Sequence, residues 1–414
     1  MLKKNNRDFI ILKRQINKPI SAVIAILIFS TAVTIMSTDL YTSSMPHLSK
    51  YFGTTPEKVS LTLSLAIIAF AISQLTHGPL SDRFGRRPIL LYGMIGFTIF
   101  TIACAFSKSI EALILFRILQ AVCGSVEAVI VLAVIGDLFY EKEGVKVLGI
   151  YGMVVAAAPA IAPIVEGYMF ETFGWQSNFF LLAVFGFFLI IFIYFFLPET
   201  IASQSDSLHI KNILNKYYQL IINRIFIIYT LILSIFFACM WAFIAGGPFL
   251  FINYLGIETK YYGFFQMIIV ISFFAGSIMA NVTVEKLGPE KVLRIGIFAG
   301  LIGSLFLSIS SFLQIKSKWI ITMIVCVVTF GLGPVFAVGP IRALSQVPTT
   351  SIGSAAALRG TIQLFGAGLG ALPVGLMQVG NTWPIAVTMS FFSLMGVLIY
   401  TLFKPWEKIP SHLK

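Results

Sequence analysis

Gly78-Pro79-Leu80-Ser81-Asp82-Arg83-Phe84-Gly85-Arg86-Arg87-Pro88 joins two apolar segments and brings an acid, a glycine and three arginines into one short turn. The flanking segments, residues 58–79 and 87–106, each have about the 20 residues with which an α-helix crosses a hydrocarbon core of roughly 30 Å. Cytoplasmic loops between such helices are rich in arginine and lysine. That tendency does not explain Asp82 and Gly85 at this spacing, so we expect the turn to do more than set topology.

Composition extends the membrane interpretation to the whole chain. Of its 414 residues, 58% are hydrophobic and only 11% are charged, whereas soluble domains carry about 25% charged residues. Apolar stretches recur from Ile20 to Phe403. The net charge of +12 is what basic cytoplasmic loops produce, so it does not by itself indicate a nucleic-acid partner. The four cysteines lie inside apolar stretches without a CxxC or Cys/His cluster, which argues against a disulfide framework and a metal site.

The apolar pattern predicts an all-α membrane protein with 12 transmembrane helices in two pseudo-symmetric six-helix bundles. The predicted spans are 20–45, 58–79, 87–106, 111–137, 145–168, 176–198, 225–250, 261–283, 291–312, 318–341, 354–378 and 383–403. The corresponding divisions are a cytoplasmic segment 1–19, a first bundle 20–198, a cytoplasmic linker 199–224, a second bundle 225–403 and a cytoplasmic tail 404–414. The run from Ile20 to Met36 is too long for a signal-peptide core and is interpreted as a retained helix.

Charge and an internal repeat indicate how the spans are arranged. With the N-terminus inside, the inner segments hold 22 of the 29 lysines and arginines and the outer loops hold 6, which predicts that both termini are cytoplasmic. The segment Asp82–Arg87 aligns with Glu285–Glu290 at an offset of 203 residues, acid on acid and glycine on glycine. Such a parallel repeat is one of the known transporter architectures, with the substrate site between the halves.

Residues 78–88 resemble, nearly residue for residue, the signature of the major facilitator superfamily between its second and third helices. The resemblance implies two bundles that rock about a central cavity, and a loop that acts as a charge-relay latch for one access state. Asp82 would then pair with a guanidinium across a closed cytoplasmic face. The latch residues it indicates are Gly78, Asp82, Arg83, Gly85, Arg86 and Arg87.

Two further motifs place opposite charges at membrane depth. The segment Arg117–Gly124 is similar to the family's fourth-helix motif, with Ala121 where glycine is usual. The segment Asp39–Pro46 resembles the Asp-x-Tyr-x(4)-Pro pattern of the Bcr/CflA drug-resistance branch. Asp39 and Arg117 lie about 9–10 Å from the outer ends of their helices, where a charge needs a partner. We expect an ion pair between them; the alternatives are a snorkelling arginine and an aspartate at a wet helix end.

A third charged residue, Glu127, lies near the middle of the fourth span. Arg117, Gln120, Gly124 and Glu127 fall within an arc of roughly 80° on this helix, which predicts a polar cavity wall. Because desolvation disfavours the charged carboxylate, Glu127 could take up a proton near neutral pH. The alternative is a permanently protonated acid in the core. We therefore predict Asp39, Glu127 and Arg117 as the proton-coupling residues.

The fifth span is rich in small residues and prolines. Pro159, Pro163 and Gly167 are similar to the family's antiporter motif, which implies a hinge and seal typical of exporters. Glu166 stands where the branch typically has glycine, so it either weakens the seal or places another acid at the outer mouth. Elsewhere, the side chains predicted to line a substrate cavity are Tyr41, Gln120, Phe236, Phe237 and Trp241.

Together these features predict proton-coupled efflux of small amphipathic drugs across a bacterial inner membrane by a protein that functions as a monomer. The alternative on the same scaffold is export of a siderophore or another metabolite. No Walker A, HExxH or GxSxG motif is present, which argues against an ATP-driven engine and against an enzyme. A sensor would carry a larger soluble domain. We expect no cofactor and no nucleic-acid partner.

Overall fold

The described residues of the computed structural model, 19–139, 141–201, 210–345, 347, 352–377 and 381–403, are almost entirely α-helical. The helices are α1 Ile20–Asp39, α2 Met45–Tyr51, α3 Pro56–Phe84, α4 Arg86–Ala105, α5 Ile110–Leu138, α6 Glu141–Phe173, α7 Gln176–Phe196, α8 Ile210–Ile222, α9 Arg224–Pro248, α10 Thr259–Leu287, α11 Pro289–Phe312, α12 Lys318–Leu344, α13 Ile352–Leu376 and α14 Trp383–Phe403, with a π-helical turn at Phe249–Tyr254. The predicted terminal segments, up to residue 18 and from residue 404, lie outside the described residues.

The prediction of an all-α membrane protein is confirmed. Among the described residues, every helix except α2, α8 and α13 is long and apolar enough to cross a membrane, α6 from Lys146 onward and α9 together with its π-helical turn. α13 covers the eleventh predicted span and contains Arg359, Gln363 and six glycines, which lower its hydropathy. Within the predicted linker 199–224, α8 forms an additional helix.

The first helix is shorter than the predicted span 20–45, because α1 ends at Asp39. The backbone N–H and side-chain hydroxyl of Thr42 both donate to the Asp39 carbonyl oxygen, at 3.2 and 2.9 Å, and so compete with the helical hydrogen bonds. Pro46, which has no N–H to donate, then lies in the first turn of α2. Residues 40–44 therefore form a turn between two helices, and we call it the α1–α2 turn.

The repeat seen in the sequence corresponds to a repeated turn. Gly85 ends α3 and precedes α4 with φ of 101°, and Gly288 stands between α10 and α11 with φ of 76°. Positive φ is a conformation that glycine adopts without steric penalty. We call the end of the molecule that carries these two turns the basic end. The opposite end, which carries α2 and the start of α10, is called the closed end.

Hydrophobic clusters show why the opposite end is closed. One cluster there joins Tyr41 and Phe179, which precede residue 198, to Trp241 and Ala371, which follow residue 224. By contrast, a cluster around Val131 contains only residues before 198, and a cluster around Val292 contains only residues after 224. The two sets of helices, α1–α7 and α9–α14, are thus joined by a shared core at the closed end.

Glycines on α6 and α10 also show that the two sets of helices are in contact at the closed end and less so toward the basic end. A Cβ atom on Gly263 of α10 would lie 2.6 Å from the backbone nitrogen of Ile164 in α6. A Cβ on Gly167 of α6 would lie 2.9 Å from the carbonyl oxygen of Thr259. Nearer the basic end, Gly149 of α6 has no such neighbour within 4 Å. The backbones of α6 and α10 therefore touch at the closed end, and α6 leaves space around it toward the basic end.

Candidate functional site

Arg117 of α5 is a buried charge with several partners inside the first set of helices. Its side chain is almost fully buried, and its Nη1 donates to the Ser37 carbonyl oxygen at 2.9 Å and to the Gln120 Oε1 at 2.6 Å. The guanidinium carbon lies 4.4 Å from the centre of the Tyr41 ring. Ser37 belongs to the last turn of α1, where carbonyl oxygens lack helical partners. Arg117 thus donates a hydrogen bond to a free carbonyl oxygen at the end of α1 and links this helix to α5.

The predicted ion pair between Asp39 and Arg117 is not formed in this structure. Among the described residues, no acidic oxygen lies within 4.0 Å of the Arg117 nitrogens. The guanidinium instead binds the carbonyl oxygen of Ser37, which became available because α1 ends at Asp39. The Asp39 carboxyl is buried beside it and within electrostatic range of Arg117. The two charges are therefore brought to one region without direct contact.

Glu127 has a hydrogen-bond partner on the first helix. Its Oε1 lies 2.5 Å from the hydroxyl oxygen of Thr31, whose hydroxyl also lies 3.0 Å from the Leu27 carbonyl oxygen. A hydroxyl has one hydrogen and can also accept. Thr31 can therefore donate to an ionised Glu127, or donate to Leu27 and accept from a protonated Glu127. Both protonation states of this buried acid can be satisfied by the same neighbour.

The polar stripe of α5 faces other helices of the first set. The Gln120 amide donates to the Thr101 hydroxyl of α4 at 2.6 Å. A Cβ on Gly124 would lie 2.9 Å from the Phe97 ring, with Thr34 of α1 on its other side at 3.7 Å. Instead of an open cavity wall, the stripe from Arg117 to Glu127 forms a hydrogen-bonded seam between α5 and its neighbours α1 and α4.

The predicted aromatic wall is divided by the fold. Phe236 has no exposed surface, because it packs between the backbones of α11 and α14 at Gly300 and Gly396. Phe237 has its ring centre 6.2 Å from Trp241 and 5.5 Å from Phe336 of α12. Phe237 and Trp241 are therefore placed together, while Phe236 belongs to the core of the second set.

Tyr41, the remaining aromatic residue of the predicted wall, belongs to the closed end. Its ring centre lies 5.8 Å from that of Phe179, and its hydroxyl lies 2.9 Å from the Thr62 hydroxyl of α3. Together with the Arg117 guanidinium on its face, these contacts enclose the ring completely. Tyr41 thus links the α1–α2 turn to α3, α5 and α7.

The turn at residues 78–88 is a network within the first set of helices. The Asp82 Oδ1 lies 2.6 Å from the Arg86 Nη1, and the Arg86 Nε lies 3.4 Å from the Asp137 Oδ2 at the end of α5. Arg86 also donates to the Ser81 hydroxyl oxygen. Arg83 stacks on Phe84, 5.1 Å from the ring centre. Asp82 is therefore paired within its own turn in this structure, and does not reach across to the second set.

Glu199 completes the turn, although the sequence does not single it out. Its carboxylate accepts from the backbone N–H groups of Arg86 at 2.9 Å and of Arg87 at 3.2 Å. A Cβ atom on Gly85 would overlap this carboxylate. Gly85 is thus required twice, once by its positive φ and once by the approach of Glu199.

The second copy of the turn carries a charge pair of opposite sign. Glu290, at the start of α11, lies 2.9 Å from the Arg342 Nε at the end of α12, and accepts from the Tyr229 hydroxyl at 2.6 Å. In the first copy, the base Arg86 starts α4 and the acid Asp137 lies at the end of α5. In the sequence alignment of the two turns, Arg86 and Arg87 stand opposite Pro289 and Glu290, so the second turn itself holds no matching arginine. Arg342 was missed because it lies 52 residues further along the chain.

The fifth span forms one continuous helix through both prolines. Pro159 and Pro163 lie inside α6, and Gly167 is the residue whose backbone approaches α10. Glu166 does not open into the outer mouth; it is completely buried and accepts hydrogen bonds from Ser43 and Ser44. Among the described residues, no group of three or more histidine, cysteine, aspartate or glutamate side chains could hold a metal ion.

The helices and buried charges define a polytopic α-helical membrane transporter, and the comparisons with known proteins specify its family. Residues 27–371 match the profile of the Major Facilitator Superfamily, to which the chain belongs. It is 27% identical to the bicyclomycin resistance protein homolog of Haemophilus influenzae, over 87% of this chain and 91% of that one. It is 26% identical to the multidrug transporter MdfA of Yersinia pestis, over 88% of each chain, and 26% identical to a chloramphenicol resistance protein of Pseudomonas aeruginosa, over 84% and 83%.

Solved structures agree with the fold. The chain is similar to an inward-facing bacterial homologue of the human lysosomal transporter Spinster, with a TM-score of 0.76, 15% identity and coverage of 94% of this chain and 98% of that one. It is also similar to a D-xylose–proton symporter, with a TM-score of 0.74, 17% identity and the same coverage. At these identities the likeness concerns the fold alone. The chain is a transporter and not an enzyme.

Proposed function

We propose that this protein exports small amphipathic drugs or related compounds across the bacterial inner membrane in exchange for protons. The observation that carries the proton coupling is the buried Glu127, whose neighbour Thr31 can satisfy it in either protonation state. Drug export is supported by relatives named for bicyclomycin, chloramphenicol and multidrug resistance. The basic end faces the cytoplasm in this proposal, as do both termini, and the protein works as a monomer.

The unequal ends of the molecule support a mechanism of alternating access. We propose two bundles, residues 20–198 and 225–403, that rock about a cavity between them. The closed end is held by close backbone contact between Gly263 and Ile164, whereas Asp82 is paired inside its own turn. Both features fit a state open to the cytoplasm. In the opposite state the closed end separates, and Asp82 becomes available to the second bundle.

Direction and energy source can be tested in inverted membrane vesicles that hold an acidic lumen. Added chloramphenicol or ethidium is expected to release protons from the lumen, because each turnover moves substrate in and protons out. The measurement is luminal pH by a fluorescent dye together with substrate accumulation, and vesicles without the protein are the control. A protonophore should abolish accumulation. Transport that survives collapse of the gradient but stops without ATP would rule out antiport.

Glycine substitutions test whether the turn at residues 78–88 acts in transport or only sets the membrane topology. Gly85→Ala is expected to lower export about tenfold or more, because φ of 101° costs a side chain about 1–2 kcal/mol and the new Cβ overlaps Glu199. Gly288→Ala is the matched control: its φ of 76° imposes similar strain, but no packing neighbour in the described part of the chain lies within 4 Å of its Cβ position. Export rates are measured at equal amounts of inserted protein. Equal export rates for both variants would show that the contact between Gly85 and Glu199 does not contribute to transport.

Asp82→Asn tests the latch by charge alone. The Asp82 side chain is half exposed, and its pair with Arg86 contributes little to stability, so insertion and melting temperature should hardly change. Export should nevertheless fall, because the variant lacks the charge that the alternate state uses. Wild-type export in Asp82→Asn would mean that the turn serves topology only.

A further inference from the structure

Glu166 is a fully buried acid in a membrane-spanning helix, and proton coupling through Asp39 and Glu127 does not use it. Its Oε2 accepts from the backbone N–H of Ser43 at 2.7 Å. Its Oε1 accepts from the backbone N–H of Ser44 at 2.7 Å and from the Ser44 hydroxyl at 2.8 Å. All three groups donate to the Glu166 carboxyl oxygens, so both oxygens are satisfied although the side chain is buried. A buried acid in a membrane-spanning helix is costly without such partners, so the arrangement demands a structural or functional reason.

The segment that Glu166 holds is the α1–α2 turn. Asp39, the last residue of α1, directly precedes this turn, and its carbonyl oxygen accepts from Thr42. The turn ends at Ser44, which precedes α2 and also receives a 3.4 Å hydrogen bond from the Asn178 amide of α7. Without Glu166, the Ser43 N–H would lose the acceptor it has in this structure, and the Ser44 N–H would keep only the Tyr41 carbonyl oxygen at 3.1 Å. Glu166 therefore ties the turn that follows Asp39 to α6.

Two residues on either side of the Glu166 hydrogen bonds, Gly167 and His47, contact the second set of helices. Gly167, the next residue after Glu166, approaches Thr259 and Lys260 at the start of α10. His47, three residues after Ser44, has its Nε2 2.9 Å from the Thr259 hydroxyl oxygen, and its ring stacks on Phe170 of α6 with a centre distance of 4.6 Å. His47 and Gly167, which both contact Thr259, are thus adjacent to the segments that the Glu166 carboxyl group joins.

We propose that Glu166 is a positioning residue of the transport cycle, which joins the α1–α2 turn to α6 so that His47 and Gly167 together receive α10 when the closed end shuts. The inference rests on the proposed alternating access. The hydrogen bonds of Glu166 lie within the first set and persist when α10 moves away. These hydrogen bonds favour the state in which the closed end is shut, because only that state requires His47 and Gly167 to be correctly placed for contact with α10.

The test measures the closed end directly. Lys108 and Lys316 are exposed residues in turns of the first and second sets, at the closed end, and can be replaced by cysteine and spin-labelled. The four native cysteines, two of them buried and two half-buried, are replaced by alanine in every sample. Distances between the labels are recorded by pulsed electron paramagnetic resonance for the wild type, Glu166→Gln, Glu166→Ala and Glu171→Gln.

Both Glu166 variants are expected to raise the separated population, about tenfold for Glu166→Ala and less for Glu166→Gln, which keeps the side chain's size and one acceptor. Glu171→Gln is the matched control on the same helix. It removes an exposed charge that lies 3.6 Å from Lys260, and such pairs are worth little. Its distances should match the wild type.

The outcomes distinguish this inference from the proposed export. If the folded fraction of Glu166→Gln shows wild-type distances, even with a lowered melting temperature, Glu166 is only a stabilising residue and the inference is overturned. Equal shifts in Glu166→Gln and Glu171→Gln would assign the effect to net charge and overturn it as well. The distance measurement does not depend on a substrate, so a wild type that fails to export would count against the proposed function and not against this one.

Discussion

Glu127→Gln is expected to bind substrate as the wild type does but to lose uphill export, by about 100-fold, the scale on which removal of a positioned proton-transferring group acts. Glutamine is nearly isosteric and resembles the protonated acid, so Thr31 can still pair with it through either its hydroxyl hydrogen or its oxygen. It cannot release a proton, however. The measurement is substrate binding and export by purified, reconstituted protein between about pH 5.5 and 8.5, a range chosen around the values that buried carboxyl groups reach.

Asp39→Asn is the comparison that assigns the two acids. Arg117 keeps its bonds to Ser37 and Gln120 and its contact with Tyr41, so we expect this variant to fold. Its export should be impaired at every pH, because the charge that faces Arg117 is lost, but its residual activity should keep the wild-type pH dependence. If Glu127→Gln exports with wild-type pH dependence while Asp39→Asn loses coupling, the roles are reversed and Asp39 carries the proton.

Thr31 offers a control for the partner of Glu127. Thr31→Ser keeps the hydroxyl and should retain coupled export. Thr31→Val keeps the shape but removes the group that satisfies the carboxyl, and leaves a buried acid without its partner. A shifted pH dependence in Thr31→Val alone would confirm that the hydroxyl tunes Glu127.

Gly263→Ala is expected to prevent the closed end from shutting and to reduce export by about 10- to 100-fold. The new Cβ would lie 2.6 and 2.7 Å from the backbone nitrogen and Cα of Ile164, and a backbone cannot rotate away as a side chain can. Overpacking of this kind costs about 1–3 kcal/mol, and here the penalty falls on the shut state alone. The label distance between residues 108 and 316 should move to the separated population in parallel with the loss of export.

Gly149→Ala is the matched control on α6, since no packing neighbour among the described residues lies within 4 Å of its Cβ position. It should leave distances and export unchanged, and it favours the helix slightly. Wild-type behaviour of Gly263→Ala would mean that α6 and α10 do not need this contact during transport, and would remove the support for a closed end that opens and shuts.

Local sequence was sufficient to predict the helices and the turn at residues 78–88. Most spans are recognisable as stretches of about 20 mainly apolar residues, because the bilayer imposes the length; α13 is less apolar than the others. Gly85 and Gly288 align at the same offset and both adopt positive φ, because the repeat encodes the same backbone turn. The first span is the exception, since the apolar pattern runs through Tyr41 while Thr42 and Pro46 end the helix at Asp39.

The partners of the buried charges were decided by tertiary structure. Arg117 and Asp39 lie within electrostatic range of each other, yet the guanidinium binds the Ser37 carbonyl oxygen, a backbone group that no residue type identifies. Glu166 was noticed as a departure from the family pattern, but its ligands lie 122 and 123 residues earlier in the chain and are backbone N–H groups. Apolar length and glycine spacing follow from local physics, whereas a buried charge binds whichever donor or acceptor the packing of distant helices leaves unpaired.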